Sequence, residues 1–241
     1  MLFERLSEIS RRRKLQTFYE LLRPSAHDRI LDLGSEIAAN GCCRLAHFLD
    51  HYAFREQVTA ANLSESSVER IRARYPEVDA VVADARKLPW PDKYFDVVYC
   101  NAVIEHVGEE ADQRAMASEV MRVARRWFVS TPNRWYPFEF HLRLPLVTWL
   151  PFHGYRRAAR VFRYDHGKHR YVLWAPNDEP LRLLGVSDLT ALFPRSRIIR
   201  QSVTGIAEVL IAVGGELSVG EAVHWESNPH RRADNQESTR A

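Results

Sequence analysis

Four stretches of this sequence place a carboxylate or an amide beside small residues at the end of an apolar run. Asp32 and Gly34 close Ile30-Leu31-Asp32-Leu33-Gly34, ahead of the small-residue loop 35–41. Asn62 and Leu63 follow Val58-Thr59-Ala60-Ala61, Asp84 and Ala85 follow the run 80–83, and Asn101 opens Asn101-Ala102-Val103-Ile104-Glu105-His106. If the runs are strands of one parallel sheet, these residues share a cleft, because such sheets bind ligands outside the carboxyl ends of their strands. Gly34 would let the backbone approach a ligand where a Cβ would obstruct it. The Asn62 amide can hydrogen-bond the vicinal hydroxyls of a ribose, and Asp84 can accept from an exocyclic amine such as that of adenine. The four ends converge on a nucleoside-sized ligand.

Proton chemistry has two candidate sites. His106 follows the fourth run and has an ordinary pKa near 6.5, suited to taking a proton from a hydroxyl; Glu105 stands beside it. His141 ends the stretch 131–141, where Tyr136, Glu139 and His141 set polar groups among Trp135, Phe138 and Phe140, as acceptor pockets often do. Loop packing is the bland alternative for both histidines. No metal site is expected: His153, His166 and His169 lack a carboxylate or cysteine at ligand spacing, and Cys42, Cys43 and Cys100 form no C-x-x-C pair. The cysteines read as reduced.

The elements that must position these groups follow from the spacing of apolar residues. Residues 1–23 have helical periodicity through Leu2, Leu6, Ile9, Leu15, Phe18 and Leu22, with the basic cluster 11–14 read as a solvated face. Short apolar runs at 29–33, 58–61, 80–83, 96–101 and 127–131 read as buried strands, and helical segments at 40–51, 66–75 and 111–124 alternate with them. That alternation predicts an α/β, doubly wound sheet with helices on both faces. Periodicity weakens over 133–180, taken as an insertion; Ser187 then caps a helix to Phe193, and strands at 197–203 and 208–213 meet at a tight Thr204-Gly205 turn. The polar segment 216–241 reads as a disordered tail after one domain spanning 1–215.

The net charge of +3 gives no general nucleic-acid affinity, and no nucleic-acid partner is expected. The opening MLFERLSEISRRRK carries charge where a signal peptide needs an apolar run, and the longest apolar candidate, 144–152, is short and broken by Pro145 and Pro151. A cytoplasmic protein is expected. The stretch 141–171 mixes Leu144, Trp149, Leu150 and Phe152 with Arg156, Arg157 and Arg160, which suits peripheral contact with an anionic membrane or a lid over a lipid-like or phosphorylated acceptor.

The segment AVVADARKLPWPDKYFDVVYCNAVIEHV, residues 80–107, resembles the core of class I S-adenosylmethionine-dependent methyltransferases, in particular the type 11 group, and the likeness extends over roughly 28–133 and 187–213. It implies a Rossmann-like seven-stranded sheet of order 3-2-1-4-5-7-6 with an antiparallel last strand. It also implies S-adenosyl-L-methionine as cofactor, with the methionine part at Asp32 and Gly34, the ribose at Asn62 and Leu63, adenine at Asp84 and Ala85, and the methyl-transfer cleft at 101–106. Two departures stand out. The family's D-x-G-x-G-x-G loop is here Asp32-Leu33-Gly34-Ser35-Glu36-Ile37-Ala38, and an amide, Asn62, stands where an acid is usual. A nicotinamide dehydrogenase is disfavoured, since its pyrophosphate needs G-x-G-x-x-G. The resemblance implies methyl transfer to a small-molecule or lipid-like acceptor. The alternatives are a non-catalytic protein of this fold with weakened cofactor binding and, from the basic insertion alone, an RNA or protein methyltransferase.

Overall fold

The computed structural model describes residues 2–37, 48–139, 143–150, 152–165, 170–173 and 181–216. His141, Cys42, Cys43, the start of the helix expected at 40–51 and the segment 217–241 lie outside them.

Five strands run parallel: β1 (Ile30–Leu33), β2 (Val58–Asn62), β3 (Asp79–Val82), β4 (Phe95–Asn101) and β5 (Ala124–Pro132). A closing hairpin, β6 (Arg197–Ser202) and β7 (Ala207–Gly215), lays β7 antiparallel to both β5 and β6. The order β3-β2-β1-β4-β5-β7-β6 is the one the resemblance implies. The inner strands β1, β2, β4 and β7 are largely buried because helices cover both faces of the sheet, while the edge strands β3 and β6 are partly exposed. Leu31, Leu33, Val98, Cys100, Val129 and Leu210 pack on one side, under α4 (Glu110–Val123) and α6 (Val186–Leu192). Ile30, Val97, Tyr99, Phe128 and Ile211 face the other side, under α1 (Leu2–Leu22), α2 (Phe48–His51) and α3 (Glu65–Arg74).

Several boundaries move for local reasons. Sequence reading starts the fifth strand at Trp127, but pairing begins with Ala124 opposite Phe95 and Arg126 opposite Val97, because the arginine heads find partners beyond the strand: Arg126 reaches Leu22 O at 2.6 Å and Asp28 at 3.1 Å. The last helix is capped at Gly185, not Ser187, since the Asp188 carboxylate accepts from Gly185 N–H at 2.8 Å. The final turn is also longer than a Thr204-Gly205 pair. Val203 N–H donates to Glu208 at 2.8 Å instead of continuing the ladder, and the register shifts between Gln201 and Ser202.

Between β5 and α6 lie two small hairpins, Phe138–Glu139 with Leu144–Pro145 and Phe162–Asp165 with Arg170–Leu173, and α5 (Phe152–Val161). Val147, Tyr155 and Leu183 form a separate small core there. The segment rejoins the sheet through Arg182 N–H to Glu105 O, 2.9 Å, and Arg134 N–H to Leu184 O, 3.0 Å.

Candidate functional site

Alternation along β1 turns Asp32 to the same face as Ile30, under α1, so the carboxylate is buried at the strand's carboxyl end and only 5% exposed. Burial pushes its pKa up to about 7, against the opposing pull of a hydrogen bond with Ser35. Asp32 sits in a small cavity of about 60 Å3, walled by Arg11, Leu15, Ser35, Glu36, Tyr99 and Asn101. The rings of Phe48 and Tyr99 stack at 4.4 Å beside it.

Gly34 has φ +82°, and a Cβ there would lie 2.2 Å from Val103 Cγ2. The close approach expected of this glycine is therefore made by Val103, which locks the loop after β1 to the loop after β4. Asn62 has a similar holding role. Its Nδ2 donates to Ser35 O and its Oδ1 accepts from Ser64 N–H, both at 2.8 Å. Leu63 is exposed beside it. Beyond β3, both oxygens of Asp84 take the Arg86 fork at 2.8–3.1 Å, and this hydrogen bonding holds the carboxyl below its ordinary pKa. Arg86 also reaches Asp112 at 2.9 Å, and Ala85 is buried.

After β4, Asn101 Oδ1 accepts from Lys14 Nζ at 2.5 Å and from Ser130 Oγ at 2.8 Å. Ala102 then adopts a left-handed φ of 57°, a conformation that costs a non-glycine residue energy and gathers at functional sites. A short turn, Ile104–His106, follows. Glu105 is fully buried: its Oε2 accepts from Thr131 Oγ1 at 3.0 Å, while Oε1 has no hydrogen bond among the described residues and lies 4.0 Å from His106 Nε2. The His106 side chain is about one third exposed, 34%.

The structure thus gathers Asp32, Gly34 and Asn101 around one cavity, ties Asn62 to its rim through Ser35, sets Asp84 at the next strand end, and places His106 on the turn after β4. Arg11 and Lys14 join them, contrary to the reading of 11–14 as a solvated face. Lys14 is buried, and burial, with Arg11 nearby, lowers its pKa to about 8, against the opposing influence of Glu105 and Glu208. The signal was available: Lys14 stands four residues before Phe18 and Arg11 four before Leu15, on the stripe that α1 buries.

Residues 36–126 match a family model described as a methyltransferase domain. A probable S-adenosylmethionine-dependent methyltransferase of Mycobacterium tuberculosis is 34% identical over 124 residues, covering 51% of this chain and 42% of that protein. The 27-O-demethylrifamycin SV methyltransferase of Amycolatopsis mediterranei is 36% identical over 109 residues, covering 42% of this chain and 37% of that protein. The chain thus spans well under two thirds of the length of these curated relatives. A solved protein of Pyrococcus horikoshii shares the fold at 20% identity with a TM-score of 0.54, over 85% of this chain and 88% of that one. So does a SAM-dependent methyltransferase from Aquifex aeolicus, at 12% identity and TM-score 0.50, over 83% and 87%.

Proposed function

We propose that this chain, whose residues 36–126 match a methyltransferase domain and whose curated relatives include probable S-adenosylmethionine-dependent methyltransferases, moves a methyl group from S-adenosylmethionine to a small-molecule or lipid-like acceptor in the cytoplasm. The observation that carries this reading is the buried carboxylate of Asp32, which hydrogen-bonds Ser35 and makes no salt bridge among the described residues, with Arg11 across the same cavity. An amino-acid ammonium is the group that such a carboxylate lacks.

The other residues fit the cofactor as well. Arg11 lines the Asp32 cavity and supplies donors for a carboxylate. Each carboxylate oxygen has two acceptor sites, so Asp84 can take an adenine amine while keeping Arg86. Asn62 has less to give, since both polar groups already serve the loop; a ribose would share the second lone pair of its Oδ1. Bound cofactor supplies an electrophilic methyl carbon on a sulfonium. The protein's part is to orient the acceptor and exclude water. His106, on the turn after β4, would take the acceptor's proton.

Calorimetric titration with S-adenosylmethionine and S-adenosylhomocysteine tests the reading, paired with incorporation of labelled methyl groups into a small-molecule extract. Binding at micromolar to submillimolar concentration is expected. His106→Ala should lose about 100-fold or more in methyl incorporation while its S-adenosylhomocysteine affinity stays within about twofold of wild type. No binding at millimolar cofactor would leave a non-catalytic protein of this fold.

We also propose peripheral contact with an anionic membrane. Trp135, Leu146, Trp149, Leu150, Tyr171 and Leu173 are all exposed on the insertion, with exposed Arg157 and Arg170 nearby in sequence. An apolar surface edged by arginine suits the headgroup boundary of such a bilayer. Among the described residues, no helix is long and apolar enough to cross a membrane. Vesicles containing phosphatidylglycerol should co-sediment the protein, and Trp135→Ser with Trp149→Ser should weaken this severalfold. Equal sedimentation with pure phosphatidylcholine rules the idea out.

A further inference from the structure

The insertion and the residues that follow it line a second, half-open cavity of about 170 Å3, walled by Thr148, Leu150, Leu181, Leu183 and Tyr155 and flanked by Arg134 and Arg182. It adjoins the proposed catalytic turn, because Arg182 N–H donates to the carbonyl of Glu105, the residue before His106. On the other side, Arg134 leaves β5 and donates its N–H to Leu184 O. An apolar cavity of roughly 150 Å3 holds a benzene ring, so this one has room for a ring or a short alkyl group.

The two arginines differ in a way that points to a ligand. Arg182 is satisfied by Gln113 at 2.5 Å, Glu110 at 3.3 Å and Asp188 at 3.7 Å. Arg134 is half-buried and makes only a stacking contact, 5.5 Å above the Trp135 ring, with no carboxylate in reach among the described residues. A partly desolvated guanidinium without a counter-charge is costly and presents a rigid fork of donors that matches carboxylate or phosphate. The Tyr155 hydroxyl is a second unsatisfied group in the same wall. The residue is 95% buried, at 5% exposure, and its oxygen has no hydrogen-bond partner among the described residues. The rest of the wall is leucine and Thr148, whose hydroxyl already donates to Tyr136 O at 3.1 Å.

We propose that this cavity binds the methyl acceptor as an anionic, compact apolar molecule: an aryl or short alkyl body among the leucines, with a carboxylate or phosphate on Arg134. The ligand's role as acceptor rests on the methyltransferase reading; the anion site does not.

The test uses the full chain and four probes: benzoate, its neutral isostere benzamide, phenyl phosphate and S-adenosylhomocysteine, each titrated calorimetrically. Benzoate or phenyl phosphate should bind at least fivefold more tightly than benzamide, and the tighter of the two identifies the anion. Arg134→Ala should remove that preference, leaving benzamide and S-adenosylhomocysteine within twofold of wild type. Arg134→Lys should keep part of it, since a point charge replaces the fork. Equal binding of benzamide and both anions, an unchanged preference in Arg134→Ala, or no binding of any aromatic probe overturns the proposal. If the anions bind through Arg134 but S-adenosylhomocysteine does not bind, the site stands and the methyltransferase reading fails.

Discussion

Asp32→Asn should make the protein more stable at pH 8 and nearly unable to hold its cofactor. The Asp32 carboxyl has a pKa of about 7 in the folded chain against an ordinary 3.8, with burial as the cause. Between those values the folded state keeps a proton that the unfolded chain has released, so stability falls as pH rises from about 4 to about 7 and is level above that. Three pH units at about 1.4 kcal/mol each make the cost on the order of 4 kcal/mol. Asparagine has the same shape and never ionises. Thermal unfolding should therefore show the two proteins alike at pH 4 and the variant higher by roughly 8–16 °C at pH 8, at about 2–4 °C per kcal/mol for a chain of this size. Parallel curves across that range would contradict the buried ionisation.

The same carboxylate predicts how cofactor binding responds to pH. A ligand ammonium stabilises the ionised form, so binding should expel a proton wherever free Asp32 is protonated. Affinity for S-adenosylhomocysteine should rise about tenfold per pH unit between pH 5 and 7, then flatten. In Asp32→Asn that rise disappears and affinity at pH 8 drops by at least about 30-fold, since losing one partner of a buried charge pair costs about 2–5 kcal/mol. Stability gained where function is lost is the expected trade at a site that holds an uncompensated charge.

What could be read from the sequence, and what could not, divides along the same physical line. The runs at Ile30, Val58 and Phe95 are legible because a strand covered on both faces needs a near-continuous apolar string. Residues at the strand ends follow from that alone, which is why Asp32 and Asn101 could be named before their surroundings were known. The surroundings depend on packing. Nothing local tells that the Lys14 ammonium meets Asn101, 87 positions away, or that Arg134 lacks an anion while Arg182 has three partners. Polar letters misled at the first helix. Arg11 and Lys14 in α1 read as surface, yet long side chains lie along a covered face and send only their heads to polar partners.

Gly34 offers the sharpest mutational test of how the two loops at the site are built. With φ at +82°, alanine there would cost about 1–2 kcal/mol from the backbone alone. Its Cβ would also meet Val103 Cγ2 at 2.2 Å, and overpacking of that kind adds about 1–3 kcal/mol. Gly34→Ala should thus lose about 2–5 kcal/mol of stability, and S-adenosylhomocysteine binding should weaken severalfold as the loop from Ser35 is displaced. Val103→Ala removes both γ-methyl groups and leaves only the Cβ, 3.2 Å from the new methyl. The double variant should therefore recover most of the steric part and none of the backbone part, giving a favourable coupling of about 1–3 kcal/mol in a denaturant cycle. Strict additivity would mean that the loops are not locked through this contact, and that Gly34 is required by its backbone angle alone. A favourable coupling with cofactor affinity restored in step would place Val103, a residue with no polar chemistry, among those that set the geometry of the methionine end.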